Sequence, residues 1–231
     1  MQYNKDKAVI VFARLPIEGK VKSRLAKDIG DRYAAELYRI CAEHLFSEVL
    51  KLKKHGIDFF LFYSDKNKID NVKKWAGNEF YFCSQISGDL GKKMQHAFQL
   101  IFERGYSKII IVGTDVPDIN SGLLINAFDD LDNNDFVIGP SDDGGYYLLG
   151  TKSLQEELFM EIEWGSETVF NDTLKRLKSK NAPIKILRKM IDIDTKKDFI
   201  RWYQKTKNES NHPVRIFVES RKELFRLTNT E

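Results

Sequence analysis

Apolar residues fall into two patterns that alternate along the chain. Short unbroken runs, "AVIVFA" (8–13) and "KIIIVG" (108–113), read as strands covered on both faces. Between them lie segments with helical spacing. Over 31–52, Ala34, Leu37, Cys41, Leu45, Val49 and Leu52 share one side, and His55-Gly56 stops the helix. "DFFLFYS" (58–64) and "EFYFCSQ" (79–85) predict further strands, 69–75 a short helix, and 90–105 a helix closed by glycine. A helix over 122–131, strands over 135–141 and 146–151, and a helix over 164–179 follow, and "IKILRKMIDID" (184–194) reads as extended.

This alternation argues for βαβ units and a parallel sheet. The stretch "GPSDDGGYYLLG" interrupts it with strong turn chemistry, so a mixed sheet with at least one antiparallel strand is expected. Residues 205–212, "KTKNESNH", are polar and read as a linker, followed by "VRIFVES" as an extra strand and "KELFRL" as a helix. The expected division is therefore a domain over 1–204 and a C-terminal extension over 205–231, whose role no motif gives.

Composition narrows the class. Of 231 residues, 42% are apolar and 31% charged, as in a soluble globular protein. No apolar run approaches the roughly 20 residues that cross a bilayer, so no membrane span is expected. The first apolar run ends at Arg14 without a small-residue cleavage site and reads as a strand, not a signal peptide. Cys41 and Cys83 are too few for a disulfide framework or a zinc cluster; both are expected to be reduced thiols in a cytoplasmic protein. With 37 Lys and Arg against 34 Asp and Glu, no nucleic-acid surface is indicated, and an anion site must come from local clustering.

Such a cluster exists. "RLPIEGKVKSRL" gathers Arg14, Lys20, Lys22 and Arg24 around Gly19, between the first strand and the first long helix. Gly19 can take positive φ and bring N–H groups near an anion. Lysine supplies a point charge, and arginine forks onto phosphate oxygens. The set suits a di- or triphosphate, or it is a solvated basic loop; the Gly-Lys-Ser/Thr order of a Walker loop is absent. Acidic residues collect at the other strand ends. Asp115 follows "KIIIVGT", where a carboxylate beside a buried strand needs a partner or is a turn or cap aspartate ahead of Pro117. Asp142 and Asp143 follow "DFVIGP", and Asp192 and Asp194 alternate in "IDIDTKKD", where Asp194 or Thr195 also reads as a helix cap. Ligands of open parallel sheets bind at these carboxyl ends. Facing phosphates and carboxylates imply Mg²⁺ or a similar cation, which takes one or two carboxylates plus phosphate oxygens. Gly144-Gly145 allows close approach to a ligand or makes a tight turn. In "EWGSETVF", Ser166 reads as a cap, and Trp164 as an acceptor-pocket wall or a core residue. The four histidines suggest neither a triad nor a zinc site.

The ordered set "VFARLPIEGKVKSRL", "GTDVPDI", "GPSDDGGYYLLG", "WGSETV" and "DIDTKKDF" resembles the radical-SAM/selenodomain-associated transferases. That family is a glycosyltransferase-like domain of unknown function with a GT-A-type nucleotide-diphospho-sugar transferase fold. The resemblance spans about 8–202, with Arg14 and Ser23 where many members have Lys and Thr. It implies a three-layer α/β/α, Rossmann-like GT-A fold with a mostly parallel mixed sheet. It also implies that Arg14, Gly19, Lys20, Lys22 and Arg24 bind nucleotide phosphates, that Asp115 and Asp194 hold Mg²⁺ or Mn²⁺, and that Asp142, Asp143, Gly144 and Gly145 face the sugar or acceptor. The expected activity is sugar transfer from a nucleotide sugar to a small-molecule or glycan acceptor. Two alternatives stand beside it. One is a nucleotidyltransferase that couples a nucleoside triphosphate to a phosphorylated substrate and releases pyrophosphate. The other is a nucleotide-binding module without turnover.

Overall fold

The computed structural model describes residues 6–65 and 67–225. Seven strands form one sheet in the order β3-β2-β1-β4-β6-β5-β7. They are β1 (Lys7–Ala13), β2 (Ile57–Tyr63), β3 (Tyr81–Ser84), β4 (Lys108–Gly113), β5 (Phe136–Pro140), β6 (Tyr146–Thr151) and β7 (Ile184–Ile186). β1 pairs in parallel with β2 and β4, β2 with β3, and β5 with β7. β6 alone runs antiparallel, between β4 and β5. The expected three-layer, mostly parallel mixed sheet is the fold observed, and "YYLLGT" is its antiparallel member.

Helices cover both faces: α1 (Ser23–Ile29), α2 (Asp31–Leu50), α3 (Ile69–Ala76), α4 (Leu90–Glu103), α5 (Ser121–Asn133) and α6 (Val169–Ser179). Successive strand residues point to opposite faces. Val9 and Val11 therefore join Leu45, Val49, Leu124 and Phe128 on the α2/α5 side. Ala8 and Ile10 join Met94, Phe98 and Leu177 on the α4/α6 side. Gly56, at φ 69°, closes the turn after α2. Both cysteines are free and buried, and no helix among the described residues is long and apolar enough to cross a membrane.

Three local expectations are corrected. The basic loop turns helical at Ser23, so Arg24 lies on α1. Helix α6 starts at Val169, not Trp164. Thr168 sits at its N-cap without a side-chain cap bond, and Ser166 instead contacts Thr168 Oγ1 at 3.0 Å. "VRIFVES" is not a strand. Pro213–Glu219 form α8, which follows α7 (Lys196–Lys205) and precedes α9 (Lys222–Phe225). Pro213 presets the first helical φ, and Val214, Phe217 and Val218 present one buried face. β-branched Val and Ile had suggested extension, but the spacing of the apolar residues is helical. That face packs into a third core with Leu25, Leu37, Phe199 and Trp202. The end of the expected helix "KELFRL", residues 226–227, lies outside the described residues.

Candidate functional site

The chain runs outward from β1 to β2 and β3, then returns to β4 on the other side of β1. Where strand order reverses, the two following loops part and leave a crevice at the carboxyl ends. A cavity of about 530 Å³ lies there.

Tyr38 of α2 ties the two strand ends together. Its hydroxyl accepts from the Arg14 N–H at 3.1 Å and from Thr114 Oγ1 at 3.0 Å. Burial, reinforced by the Asp115 charge, pushes the phenol up to about 12. Leu15 N–H donates to Asp65 Oδ2 at 3.0 Å, anchoring the basic loop to the end of β2. Backbone bonds draw in the acidic segments. Met190 N–H donates to the Pro140 carbonyl, Asp142 N–H to the Met190 carbonyl, and Ile193 N–H to the Asp115 carbonyl, at 3.0–3.1 Å. Residues 115, 141–145 and 190–194 thus share one rim although they come from three regions of sequence. The Thr195 hydroxyl and the Asp198 carboxylate form a capping box for α7. The helix start is therefore satisfied without Asp194.

Of the residues singled out in the sequence, Arg14, Lys20, Lys22, Asp115, Asp143, Gly145 and Asp194 line the cavity. Four others do not. Arg24 is exposed and paired with Asp194 at 3.1 Å. Gly19, at φ 71°, shapes the basic turn. Asp142 turns its carboxylate to Arg201 and, at 3.5 Å, to Lys189. Gly144 meets protein instead of open space: a Cβ there would lie 2.1 Å from the Glu167 carbonyl oxygen, and that approach lets Phe170 N–H donate to Gly144 O at 2.8 Å.

The partner of Asp115 is Lys22. Its side chain is 5% exposed and its ammonium contacts the Asp115 carboxylate, which is 54% exposed toward the cavity. Burial works against the lysine charge, but the charge and hydrogen bond of Asp115 outweigh it and leave the pKa raised. Lys22 holds a left-handed backbone, φ 48° and ψ 43°, just before α1. A non-glycine residue pays about 1 kcal/mol or more for that conformation, and such strain collects at functional sites.

Sequence reasoning had left Tyr38 out of the site, and its signal was a hydroxyl in the otherwise apolar stripe of α2. Asp192, read in the sequence as alternating with Asp194, lines the cavity near Asp143. Burial first, and the Asp143 charge second, lift its pKa to about 7. Asp143 itself is oriented by Ser141 Oγ at 2.5 Å and Gly145 N–H at 2.9 Å, both donating to Oδ1. A raised carboxyl pKa means that the native state keeps a proton the unfolded chain has lost, so this group costs stability as pH rises from about 4 to 7. In metal-free buffer, Asp192→Asn is expected to melt about 3–6 °C above wild type at pH 8, with the gain gone by pH 4. Calorimetric melting at the two pH values checks this.

Part of the cavity wall is aromatic and apolar. Trp164 packs edge-on against Tyr146, with ring centroids 6.4 Å apart. It lies so close to α4 that a Cβ on Gly91 would fall 2.3 Å from its Nε1. Met94 and Val169 complete this wall, with Lys93 beside them.

The sheet order and a crevice at its switch point define a fold shared with nucleotide-diphospho-sugar transferase-like proteins and cytidylyltransferases. Residues 47–166 match the family described as "Uncharacterized protein conserved in bacteria (DUF2064)", and the chain belongs to that family. A protein of Desulfovibrio desulfuricans G20, provisionally named a nucleotide-diphospho-sugar transferase, is 30% identical, with a TM-score of 0.90 over 95% of this chain and 96% of its own. The 4-diphosphocytidyl-2C-methyl-D-erythritol synthase of Anaerococcus prevotii shares the fold at 14% identity, with a TM-score of 0.57 over 88% of this chain and 99% of its own. A Mycobacterium tuberculosis protein solved in complex with manganese does so at 13% identity, with a TM-score of 0.51 over 87% and 98%. No curated protein matches the chain.

Proposed function

We propose that the cavity is the active site of a metal-dependent transferase that uses a nucleotide-activated sugar and a small-molecule or glycan acceptor. The observation that carries this reading is the mixed lining: Arg14, Lys20 and Lys22 line the same cavity as Asp115, Asp143, Asp192 and Asp194. The motif set supports a place among the radical-SAM/selenodomain-associated members of the family, and a cytoplasmic location belongs to the same reading.

Among the described residues, no three Asp, Glu, His or Cys gather into a ready-made metal cage. Asp115 and Asp194 both line the cavity, which fits Mg²⁺ or Mn²⁺ held by one or two carboxylates and substrate phosphate oxygens. When bound, that cation neutralises charge on the diphosphate. The chain's own cations do the rest. Arg14 and Lys20 have no carboxylate partner among the described residues and are available to phosphate oxygens. Lys22 stands ready beside the charge that grows on the leaving diphosphate. Asp143, with Oδ1 fixed by two donors, keeps Oδ2 free to orient an acceptor hydroxyl or take its proton. Asp142, occupied by Arg201, leaves that role to its neighbour. Trp164 and Tyr146 offer aromatic surface to a sugar or acceptor.

A nucleotidyltransferase is the second reading, favoured by the concentration of three cations beside the end of β1, which matches a triphosphate. A thermal-shift series separates the two. A UDP- or GDP-sugar with Mg²⁺ or Mn²⁺ is expected to raise the melting temperature by about 5–10 °C at a hundred times its Kd. Stabilisation by CTP or UTP alone selects the second reading. No shift with any nucleotide rejects both.

A further inference from the structure

The segment that follows α7 is fastened to the loop that carries Asp115. His212 caps α8, accepting at Nδ1 from the Val214 N–H at 3.2 Å. A neutral imidazole that accepts at Nδ1 carries its proton on Nε2. That nitrogen lies 3.2 Å from the Pro117 carbonyl oxygen and donates to it. Trp202 of α7, fully buried, donates its indole N–H to Asp118 Oδ1 at 2.6 Å. The His212 ring packs edge-on against Trp202 and against His44 of α2, with centroids 5.1 and 4.6 Å away. Burial first, and the His212 ring second, hold the His44 pKa below its usual value. Two donors from the last quarter of the chain therefore grip residues two and three places beyond Asp115. At the far end of the same loop, the Asn120 side chain caps α5.

We propose that His212 and Trp202 are positioning residues. They fix loop 114–118 so that the Asp115 carboxylate meets Lys22 at the cavity, and the segment after α7 is thereby part of the site's machinery. This rests on the reading of Asp115 as a nucleotide-site residue. The need is physical: Lys22 is buried and cannot follow a loop that moves, so a small displacement of Asp115 parts the ion pair.

Two substitutions of His212 separate positioning from capping. In His212→Asn the side-chain oxygen replaces the Nδ1 acceptor, but the short amide does not reach Pro117. In His212→Gln the amide nitrogen replaces the Nε2 donor, and the helix cap is poor. Hydrogen exchange of residues 113–119 is measured in metal-free buffer, and affinity for Mg²⁺-pyrophosphate by calorimetry. The Asn variant is expected to exchange about tenfold faster in that stretch and to bind about tenfold more weakly, while the Gln variant stays near wild type. Trp202→Phe removes only the indole N–H and should loosen the same stretch. The opposite order, with Asn near wild type and Gln loosened, shows a helix cap and overturns the proposal, as does unchanged exchange in both Asn and Phe variants. If exchange follows the expected order but wild type does not bind Mg²⁺-pyrophosphate, positioning stands and the nucleotide-site reading falls.

Discussion

Lys22→Met is expected to leave the fold intact and to weaken nucleotide binding by about thirtyfold or more. The lysine stem is already buried, and methionine fills similar space with a flexible apolar chain. The left-handed backbone at this position is strained for either residue, so that cost does not change. The carboxylate left behind on Asp115 is more than half exposed and is solvated by water. Stability therefore shifts little. Binding behaves differently. A buried ammonium aimed at a diphosphate works in low dielectric, and truncating one partner of such a contact costs about 2–5 kcal/mol. At about 1.4 kcal/mol per factor of ten, that is more than tenfold at the least and over a thousandfold at the most. Lys20, which is exposed, is the control: Lys20→Met should give a smaller loss that fades with added salt. Calorimetry with the best nucleotide of the thermal-shift series reads both. A Lys22→Met protein that melts like wild type and binds within threefold of it would reduce Lys22 to a structural ion-pair partner.

What the sequence revealed and what it hid follow from range. Strands β1 and β4 were legible because a strand buried on both faces must be apolar throughout, and that run is a local property. Asp115 was legible for the same reason, as a charge abutting such a run. The basic loop was visible as density of charge, but density did not say which cation is buried. Lys22 and Lys20 are two residues apart and have opposite environments, decided by how α1 turns at Ser23. Asp142 and Asp143 were indistinguishable as neighbours. Arg201, 59 residues away, takes the first, and the local turn at Gly145 orients the second. Gly144 was read as a place of close approach to a ligand or as a tight turn, and what approaches it is the Glu167 backbone. "VRIFVES" was misread because valine and isoleucine favour strands locally, while its amphipathic face is satisfied by residues distant in sequence, on α1, α2 and α7.

Asp115→Asn cuts the same ion pair from the other side, and the asymmetry of burial reverses the outcome. Here the buried member, Lys22, loses its charge partner. Breaking a fully buried pair costs about 3–5 kcal/mol; water reaches Asp115, so about 2 kcal/mol is expected, or a melting temperature lower by about 4–8 °C at pH 7. Metal-dependent nucleotide binding should be lost as well. The pH dependence has a definite sign. In wild type the lysine pKa is raised above 10.5, so the pair's contribution is present below that value and fades as pH climbs through the raised one. In the variant, burial acts on the ammonium against the weaker pull of Asp194 instead of that of Asp115, and the lysine sheds its proton earlier. The deficit should therefore be full at pH 7 and narrower at pH 10. Combining Asp115→Asn with Lys22→Met removes both charges and should recover most of the lost stability, while binding stays absent. An Asp115→Asn protein that melts with wild type at pH 7 would mean that the lysine reaches water when its partner is removed, and the picture of a cation locked into the rim of the crevice would fail.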